Sequence, residues 1–312
     1  MAYLMCMDTP VYDTIKKKVL APHLMPCPVE YYEEWRNSRL FLRGTNRMPE
    51  EDERELGVNS LTVKRRLSLS DSYWVKYSKD KAQGGFYQLT PYLNDFYEYG
   101  VRDSSKSSPS LTVTGSVNKI WRNVNGSIVL YKVMQPMWVD AEVAAVSLAK
   151  KLNLPINEVT RVSNTELYIH NFTNPDVMLM RLNYWDLPAS SKAKVPSDFG
   201  YSFSKVDSVY KRLNIQGYSH IITILFDVIV SNYDRITNLS NWGYFKSGID
   251  GKNAHCPMYD FNLAHPHQRN MYLYTVKPQL TYEHKRLLMK WRSVVASHGY
   301  PMWIENLDKL LE

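Results

Sequence analysis

Four features follow one another along the chain in the order that phosphoryl transfer from ATP requires. They are a hairpin around Gly115, Lys132 on the next strand, Glu142 on the following helix, and a later loop with Asp234 and several Asn residues, followed by Asp260. Each feature is common by itself. Their order along the chain is what points to this chemistry.

The first feature is the polar segment from Thr112 to Lys119, in which Gly115 stands between Thr114 and Ser116. A glycine among small polar residues lets backbone N–H groups approach phosphate oxygens. One glycine is a weak signal, however, and a plain β-turn is the commoner structure for such a segment taken alone.

The second and third features form a possible ion pair. Lys132 lies inside an apolar segment, and Glu142 lies on the helix predicted to follow it. An ammonium in an apolar strand needs an anionic partner or a path to water, and a Lys–Glu pair of this kind holds the α- and β-phosphates of ATP in kinases. The alternative is a surface Lys on an edge strand beside a solvated Glu, which is the commoner arrangement for each residue alone.

The fourth feature is the segment 230–242, which carries Asp234 directly after an apolar run. An Asp there can accept or orient the proton of an incoming hydroxyl, and an Asn a few residues later can ligate Mg²⁺ through its amide oxygen. Asp260 ends a later apolar segment, as expected for a carboxylate that binds a cation between two phosphates. Segments rich in Asn and Asp are usually turns, so only the combination favours phosphoryl transfer.

The pattern of apolar residues predicts the elements that position these side chains. Asn125 and Gly126 predict a hairpin turn, because both tolerate positive φ. Strands are predicted over residues 119–121, 127–133, 167–172 and 177–182, and helices over residues 140–152, 221–230, 283–295 and 303–311. The sequence therefore predicts an α+β fold, mostly β up to about residue 174 and helical from about residue 183.

The composition excludes several classes of protein. The 312 residues carry a net charge of +7, with 44% hydrophobic and 22% charged residues, as in globular rather than disordered or fibrous proteins. The three cysteines lack the spacing of a zinc site or a disulfide framework, which favours a reducing compartment. The most apolar run, residues 221–230, is shorter than the roughly 20 residues of a membrane span. We therefore expect a cytoplasmic protein.

Taken together, these segments resemble the HipA-like serine/threonine kinases, and most closely the branch found in Gram-positive bacteria and their mobile elements. The resemblance implies a two-lobed protein-kinase-like fold, with a small, mostly β N-lobe and a larger helical C-lobe. The matching segments, in the family's order, are residues 67–75 (LSLSDSYWV), 108–121 (SPSLTVTGSVNKIW), 129–132 (VLYK), 141–145 (AEVAA), 232–235 (NYDR), 241–245 (NWGYF) and 258–265 (MYDFNLAH).

The resemblance also implies roles for individual residues. Lys132 would contact the α- and β-phosphates with Glu142 as its partner, and Asp234 would be the catalytic base. Asn241 and Asp260 would ligate Mg²⁺. The residues implied to contact ATP are Lys132, Thr112, Thr114, Gly115 and Ser116 at the phosphates, and Tyr168 and His170 in the strand beside adenine.

The loop after Asp234 departs from the family pattern. Many relatives read DRH, then two residues and Asn, whereas Ile236 stands here in place of the His and six residues separate Asp234 from Asn241. If Asn238 is the cation ligand instead, the spacing is one residue short. A misplacement of about 1 Å in such a site costs on the order of a hundredfold in rate, so weak or absent activity is an alternative.

Three functions are compatible with these features. The leading one is an ATP- and Mg²⁺-dependent serine/threonine protein kinase, for which autophosphorylation of the nucleotide loop is one possible means of control. The second is an inactive pseudokinase that acts as an interaction or inhibitor module. Nucleic-acid binding has only the basic charge and clusters such as residues 64–66 in its favour, and these are more often solvated surface. His265 and His267 are interpreted as loop histidines rather than metal ligands, and no GxSxG or HExxH motif of a hydrolase occurs.

The resemblance gives expectations about organisation and setting. Residues 1–60 are expected to pack on the small lobe, 61–180 to form the N-lobe, and 181–312 to form the C-lobe. The family's members act in toxin–antitoxin pairs or in conflicts between phage and host, which implies a protein substrate, an antitoxin or host protein as partner, and a bacterial or phage-infected cytoplasm.

Overall fold

The computed structural model describes the chain in several segments. These are residues 2–6, 8–33, 36, 73–77, 118–125, 127–170, 172, 177–182, 202–215, 220–237, 241–247, 249–265, 267 and 272–312. The predicted phosphate loop, with Thr112, Thr114, Gly115 and Ser116, lies outside the described residues, as does Asn238.

The predicted α+β fold is confirmed, since strands dominate the first part of the chain and helices the last. The strands are β1 (Ala2–Cys6), β2 (Thr9–Asp13), β3 (Lys18–Val19), β4 (Tyr73–Tyr77), β5 (Asn118–Val124), β6 (Ser127–Val133), β7 (Val159–Arg161), β8 (Glu166–His170), β9 (Val177–Arg181), β10 (Gly243–Ser247) and β11 (Asn253–His255). The helices are α1 (Pro136–Lys151), α2 (Phe203–Arg212), α3 (His220–Val230), α4 (Asp234–Thr237), α5 (Leu273–Val276), α6 (Tyr282–Ser297) and α7 (Pro301–Leu311). Among the described helices, none combines the length and the hydropathy needed to span a bilayer.

The chain forms two compact units. Unit 1 comprises Met1–Val133, Tyr168–Met180 and Lys246–Lys252. Unit 2 comprises Met134–Leu167, Arg181–Phe245 and Asn253–Glu312. The strands form three sheets, with the orders β3-β2-β1-β4, β5-β6-β8-β7 and β11-β10-β9.

The first sheet belongs to unit 1 and is built on β1, which pairs antiparallel with both β2 and β4. Leu4 and Val11 of this sheet are buried. Tyr73 is also fully buried, and its hydroxyl donates a hydrogen bond of 2.6 Å to the carbonyl of Leu24. Because a buried phenol needs such a partner, this bond fixes the segment around Leu24 against the sheet.

The predicted hairpin joins β5 and β6 in an antiparallel register that runs without a bulge from Asn118 opposite Val133 to Val124 opposite Ser127. Asn125, at the turn, has φ +52°, the left-handed conformation that Asn adopts more easily than most residues. Strand β6 has the predicted bounds, whereas β5 is longer than the predicted 119–121, because the polar residues at its ends also join the ladder.

Helix α1 of unit 2 begins at Pro136, four positions before the residue that the apolar pattern predicted as its start, since proline favours the first turn. Its alanine-rich face is buried, with Ala145, Leu148 and Ala149 inaccessible to solvent. Helix α3 is buried nearly all round, as its apolar sequence predicts. The two predicted C-terminal helices are present as α6 and α7, and Trp303 and Leu307 of α7 are completely buried.

Candidate active site

Asp234 and Asn241 lie side by side in unit 2. Asp234 begins the short helix α4, and Asn241 precedes β10. The amide nitrogen Nδ2 of Asn241 donates a hydrogen bond of 2.6 Å to Oδ2 of Asp234. This contact uses the nitrogen of the amide and not its oxygen, which is the atom that ligates cations.

Asp260 lies in a segment held firmly in place within unit 2. Ile156 and Met258 form a parallel bridge, and the N–H of Asn157 donates to the carbonyl of Met258 at 2.8 Å. Asp260 itself has φ +64°, in the left-handed region that residues other than glycine seldom occupy. Such a conformation persists only where the surroundings enforce it, and it is found most often at functional sites.

Glu142 contacts the residue that follows Asp260. Its side chain is only 1% exposed, and its Oε1 accepts a hydrogen bond of 3.1 Å from the backbone N–H of Phe261. The predicted partner, Lys132, lies on β6 of unit 1 and is 2% exposed. Since β6 lies between β5 and β8, Lys132 is not an exposed residue on an edge strand. The Lys132–Glu142 ion pair itself stays a prediction.

Arg235, to which the sequence pattern assigned no role, has several partners in the site. The guanidinium of Arg235 is 2% exposed, and its Nε donates to Oδ2 of Asp227 at 2.8 Å. Its Nη1 donates to the carbonyl of Asn241 and its Nη2 to the carbonyl of Tyr259, each at 2.5 Å. Asn232 completes the network by donating from Nδ2 to Oδ1 of Asp227 at 3.0 Å.

A signal for this network is present in the sequence. Asp227 is the only charged residue in the apolar run 221–230. A carboxylate on a helix that is buried all round must find a donor, and Arg235 is the first cationic residue after the helix. Apolar periodicity alone does not identify such a pair, because a charged residue such as Asp227 only interrupts the apolar pattern and nothing in the pattern indicates its partner.

Burial and charge act in opposite directions on the pKa values of the buried pair. Burial raises the pKa of the Asp227 carboxyl to about 6, while the charge of Arg235 and the hydrogen bond from Asn232 oppose that rise. The pKa of the Arg235 guanidinium is raised, because the favourable charges of Asp227 and of Asp260 outweigh its desolvation. Asp234 also acts on the pair, since its negative charge contributes to the raised pKa of Asp227.

The residues predicted to contact adenine lie on β8 of unit 1. Tyr168 and His170 are half-buried. The ring of Tyr168 lies 5.8 Å from the ring of Tyr131, centroid to centroid. The described contacts of these two side chains do not indicate a nucleotide site, so their role in binding adenine stays a prediction.

The two histidines near Asp260 are placed as loop residues. The backbone N–H of His265 donates to the carbonyl of Val230 at 3.1 Å, and burial lowers the pKa of its imidazole. Its ring lies 5.6 Å from the ring of Tyr233. His267 is exposed. Within the described segments, no group of three or more His, Cys, Asp or Glu side chains is placed to hold a metal ion.

The donor set of the site fits magnesium. Mg²⁺ prefers oxygen ligands, and in nucleotide-binding sites it takes one or two protein ligands together with phosphate oxygens and water. The amide oxygen of Asn241 and the carboxylate of Asp260 are ligands of this kind. Arg235 hydrogen-bonds to the carbonyl of Asn241 and to the carbonyl that precedes Asp260, so one side chain links both candidate ligands.

No protein-family model and no curated protein matches the chain. Among solved structures, the proinflammatory kinase CtkA of Helicobacter pylori is similar, with 14% identity and a TM-score of 0.38 over 62% of this chain and 88% of that one. HipA from the Shewanella oneidensis MR-1 complex of HipA, HipB and operator DNA is similar with 12% identity and a TM-score of 0.45, over 100% of this chain and 96% of that one. The chain is similar in structure, at low identity, to a kinase and to a HipA.

Proposed function

We propose that the protein is an ATP- and Mg²⁺-dependent kinase that transfers the γ-phosphate to a serine or threonine hydroxyl of another protein. The observation that carries this proposal is the 2.6 Å hydrogen bond between Asn241 and Asp234, in a site where Arg235 also links Asn241 to the segment of Asp260. Phosphoryl transfer by a kinase requires a catalytic base and two oxygen ligands for the cation, and Asp234, Asn241 and Asp260 are of the required types.

Each residue has a separate task in this proposal. Asp234 accepts or orients the proton of the attacking hydroxyl, and the hydrogen bond from Asn241 keeps its carboxylate in one orientation. The amide oxygen of Asn241 and the carboxylate of Asp260 hold the cation. Mg²⁺, when bound, neutralises charge on the β- and γ-phosphate oxygens. Glu142 holds the backbone next to Asp260 through Phe261.

The nucleotide contacts belong to unit 1 in this proposal. Lys132 binds the α- and β-phosphates, with Glu142 as its partner. Its burial supports the assignment, because an ammonium that is 2% exposed requires negative charge or hydrogen-bond acceptors nearby. The residues proposed to contact the rest of ATP are Thr112, Thr114, Gly115 and Ser116 over the phosphates, and Tyr168 and His170 beside adenine.

The biological setting is proposed from the sequence resemblance. It comprises a bacterial or phage-infected cytoplasm, an antitoxin or host protein as partner, and autophosphorylation on the loop of Thr112, Thr114 and Ser116. A phosphate on that loop would repel the phosphates of ATP. Mapping of phosphorylated residues after incubation with ATP tests this step, and a loop that stays unmodified while other sites are labelled would remove it.

The activity is tested with γ-labelled ATP and Mg²⁺, using the protein alone and with lysate of its host. We expect label on protein with the wild type, a loss of about 10²–10⁴-fold with Asp234→Asn, and no transfer with Asp260→Ala. Asp250→Ala is the matched control, because Asp250 lies at an exposed turn and its partners among the described residues, Ser247 and Lys252, are close to it in the sequence. Equal labelling by Asp260→Ala and the wild type would overturn the proposal.

The second candidate is a pseudokinase that binds a protein partner. The observation in its favour is the six-residue separation of Asp234 from Asn241, with Ile236 where many relatives have His. It predicts that the wild type binds ATP and transfers no label under any of these conditions. Nucleotide binding measured alongside the transfer assay therefore separates the two functions.

A further inference from the structure

Three separate segments converge on the guanidinium of Arg235. Asp227 comes from α3, the carbonyl of Asn241 from the segment before β10, and the carbonyl of Tyr259 from the segment after β11. Each acceptor faces a different nitrogen of the guanidinium. The backbone of Arg235 is fixed as well, since its own carbonyl accepts a hydrogen bond of 2.8 Å from Nε1 of Trp242.

Two of these acceptors belong to the backbone that carries the candidate cation ligands. One is the carbonyl of Asn241 itself, and the other belongs to Tyr259, the residue before Asp260. The residue after Asp260 is also in contact, since the ring of Phe261 lies 4.8 Å from Cζ of Arg235. Asp260 therefore has a contact with Arg235 on each side along the chain, which helps to hold its φ of +64°.

The geometry of these contacts requires arginine. A guanidinium presents five N–H donors in a rigid planar fork, whereas lysine has a single nitrogen on a flexible stem. Lysine at position 235 would keep the charge that balances Asp227. Its one nitrogen could not reach the carboxylate and both carbonyls in the positions they occupy here.

We propose that Arg235 is a positioning residue that sets the distance between the amide oxygen of Asn241 and the carboxylate of Asp260, and so makes Asn241 rather than Asn238 the cation ligand of the lengthened loop. This inference depends on the proposed function, because it assumes that the site binds a cation with a nucleotide. Arg235 acts through the two carbonyls and touches neither nucleotide nor cation.

The test measures cation binding directly. Mn²⁺ replaces Mg²⁺ as the probe, and electron paramagnetic resonance measures free Mn²⁺ during titration of the full chain with a non-hydrolysable ATP analogue present. We expect Arg235→Lys to weaken Mn²⁺ binding by about 10–100-fold, the usual effect of removing a group that orients a metal ligand. Affinity for the analogue without metal should not change. Arg292→Lys is the matched control, since Arg292 is an exposed arginine with a bidentate carboxylate partner.

A pair of variants tests which asparagine binds. Asn241→Ala should weaken Mn²⁺ binding at least as much as Arg235→Lys, and Asn238→Ala should leave it unchanged. The reverse order would overturn the assignment of Asn241. Mn²⁺ affinity of wild-type strength in Arg235→Lys would overturn the role of Arg235.

Other outcomes are distinguished by the wild type and by a neutral variant. If the wild type itself binds no Mn²⁺ with the analogue, both the proposed function and this inference fail. If Arg235→Lys does not fold, the double variant Asp227→Asn/Arg235→Gln takes its place, because it removes both buried charges together and still loses the fork. The Mg²⁺ concentration that this variant needs for half-maximal activity and its turnover number are then compared with those of the wild type. A rise in the Mg²⁺ concentration that exceeds the fall in turnover number supports a positioning role for Arg235. A loss of thermal stability with no change in either quantity contradicts that role.

Discussion

Two arginine–aspartate pairs of unit 2 have nearly the same length and very different surroundings. Arg235 and Asp227 are separated by 2.8 Å, with side chains 2% and 0% exposed. Arg292 and Asp308, which join α6 to α7, are separated by 2.7 Å, with side chains 53% and 38% exposed. The distance between the charges therefore says little about what each pair contributes.

The difference lies in what else each arginine contacts. The donors of Arg292 described here both go to the two oxygens of Asp308. Arg235 gives one donor to Asp227 and two to backbone carbonyls of other segments. A buried ion pair gains little net stability over apolar residues of similar volume, because desolvation offsets the attraction. What distinguishes the Arg235 pair is that it fixes the positions of three segments.

The largest effect is expected from Arg235→Ala. This change leaves Asp227 buried without its cation, which typically costs about 3–5 kcal/mol of unfolding free energy. Urea denaturation followed by circular dichroism measures the change. A loss below about 1 kcal/mol would mean that water reaches Asp227 and that the pair behaves like a surface pair.

A double variant separates stability from positioning. Asp227→Leu/Arg235→Met removes both charges at similar volume, and such replacements of buried pairs are often neutral or stabilising. We expect most of the lost stability to return and Mn²⁺ binding to stay weak, because the two carbonyls still lack their donors. If stability and Mn²⁺ binding both returned to wild-type values, the hydrogen bonds of Arg235 to the two carbonyls would not be what distinguishes the buried pair.

The second effect depends on pH and concerns His255, a neighbour of the buried pair. Burial lowers the pKa of this imidazole to about 4, and the charges of His220 and Arg235 act in the same direction. The unfolded chain therefore takes up a proton at higher pH than the folded chain, so stability is lost as the pH falls from about 6.5 towards 4.

The measurement compares unfolding free energies at pH 7 and pH 4.5. At about 1.4 kcal/mol for each pKa unit, His255→Gln should remove at most about 3 kcal/mol of the acid-dependent loss. Exposed His267 provides the control, and His267→Gln should keep the pH profile of the wild type. An unchanged profile in His255→Gln would show that His255 is solvated in the folded protein.

Much of the fold was predictable because apolar periodicity reports burial. The run 221–230 is apolar on every side and forms the buried helix α3, and the turn at Asn125 follows from the φ that asparagine tolerates. Helix α2 was not predicted, since its pattern is polar and only four of its side chains are buried. The pairing of β1 with β4 was missed because it joins residues that are distant in the sequence, and the local pairing of β1 with β2 was not predicted either.

The residue types of the candidate site could be identified from the sequence, but the contacts between those residues could not. Residues of the required kinds were identified from their order, and the structure places Asn241 against Asp234 and Glu142 beside the segment of Asp260. The contacts of Arg235 could not be derived from the sequence, because its two carbonyl acceptors have no side-chain signature. A backbone acceptor can be supplied by any residue type, so only the folded chain shows which one is used.

A smaller loss of stability is expected from Asn306→Ala on α7. The Nδ2 of Asn306 donates to the carbonyl of Ile229 at 3.0 Å and to Oγ of Ser231 at 2.9 Å, in a fully buried position. Removing the amide takes a hydrogen-bond donor from two buried acceptors, and such a loss costs about 1–3 kcal/mol. Because Ser231 has φ +56° and lies just before the segment of Asp234, the rate of the proposed phosphoryl transfer should fall as well. The exposed Asn164→Ala is the control for stability, and an Asn306→Ala protein as stable as this control would contradict the assignment.

The smallest effect is expected from Arg292→Ala. Both partners of this pair are accessible to water and salt, which screen their attraction, and holding two long side chains in one geometry costs conformational entropy. The urea midpoint should therefore stay within error of the wild type, at low salt and at high salt. Because its distances match those of the buried pair, the variant isolates the effect of surroundings from that of distance. A shift as large as that of Arg235→Ala would show that linking α6 to α7 matters to unit 2 as much as linking the segments of the candidate site, and the distinction between the two pairs would be lost.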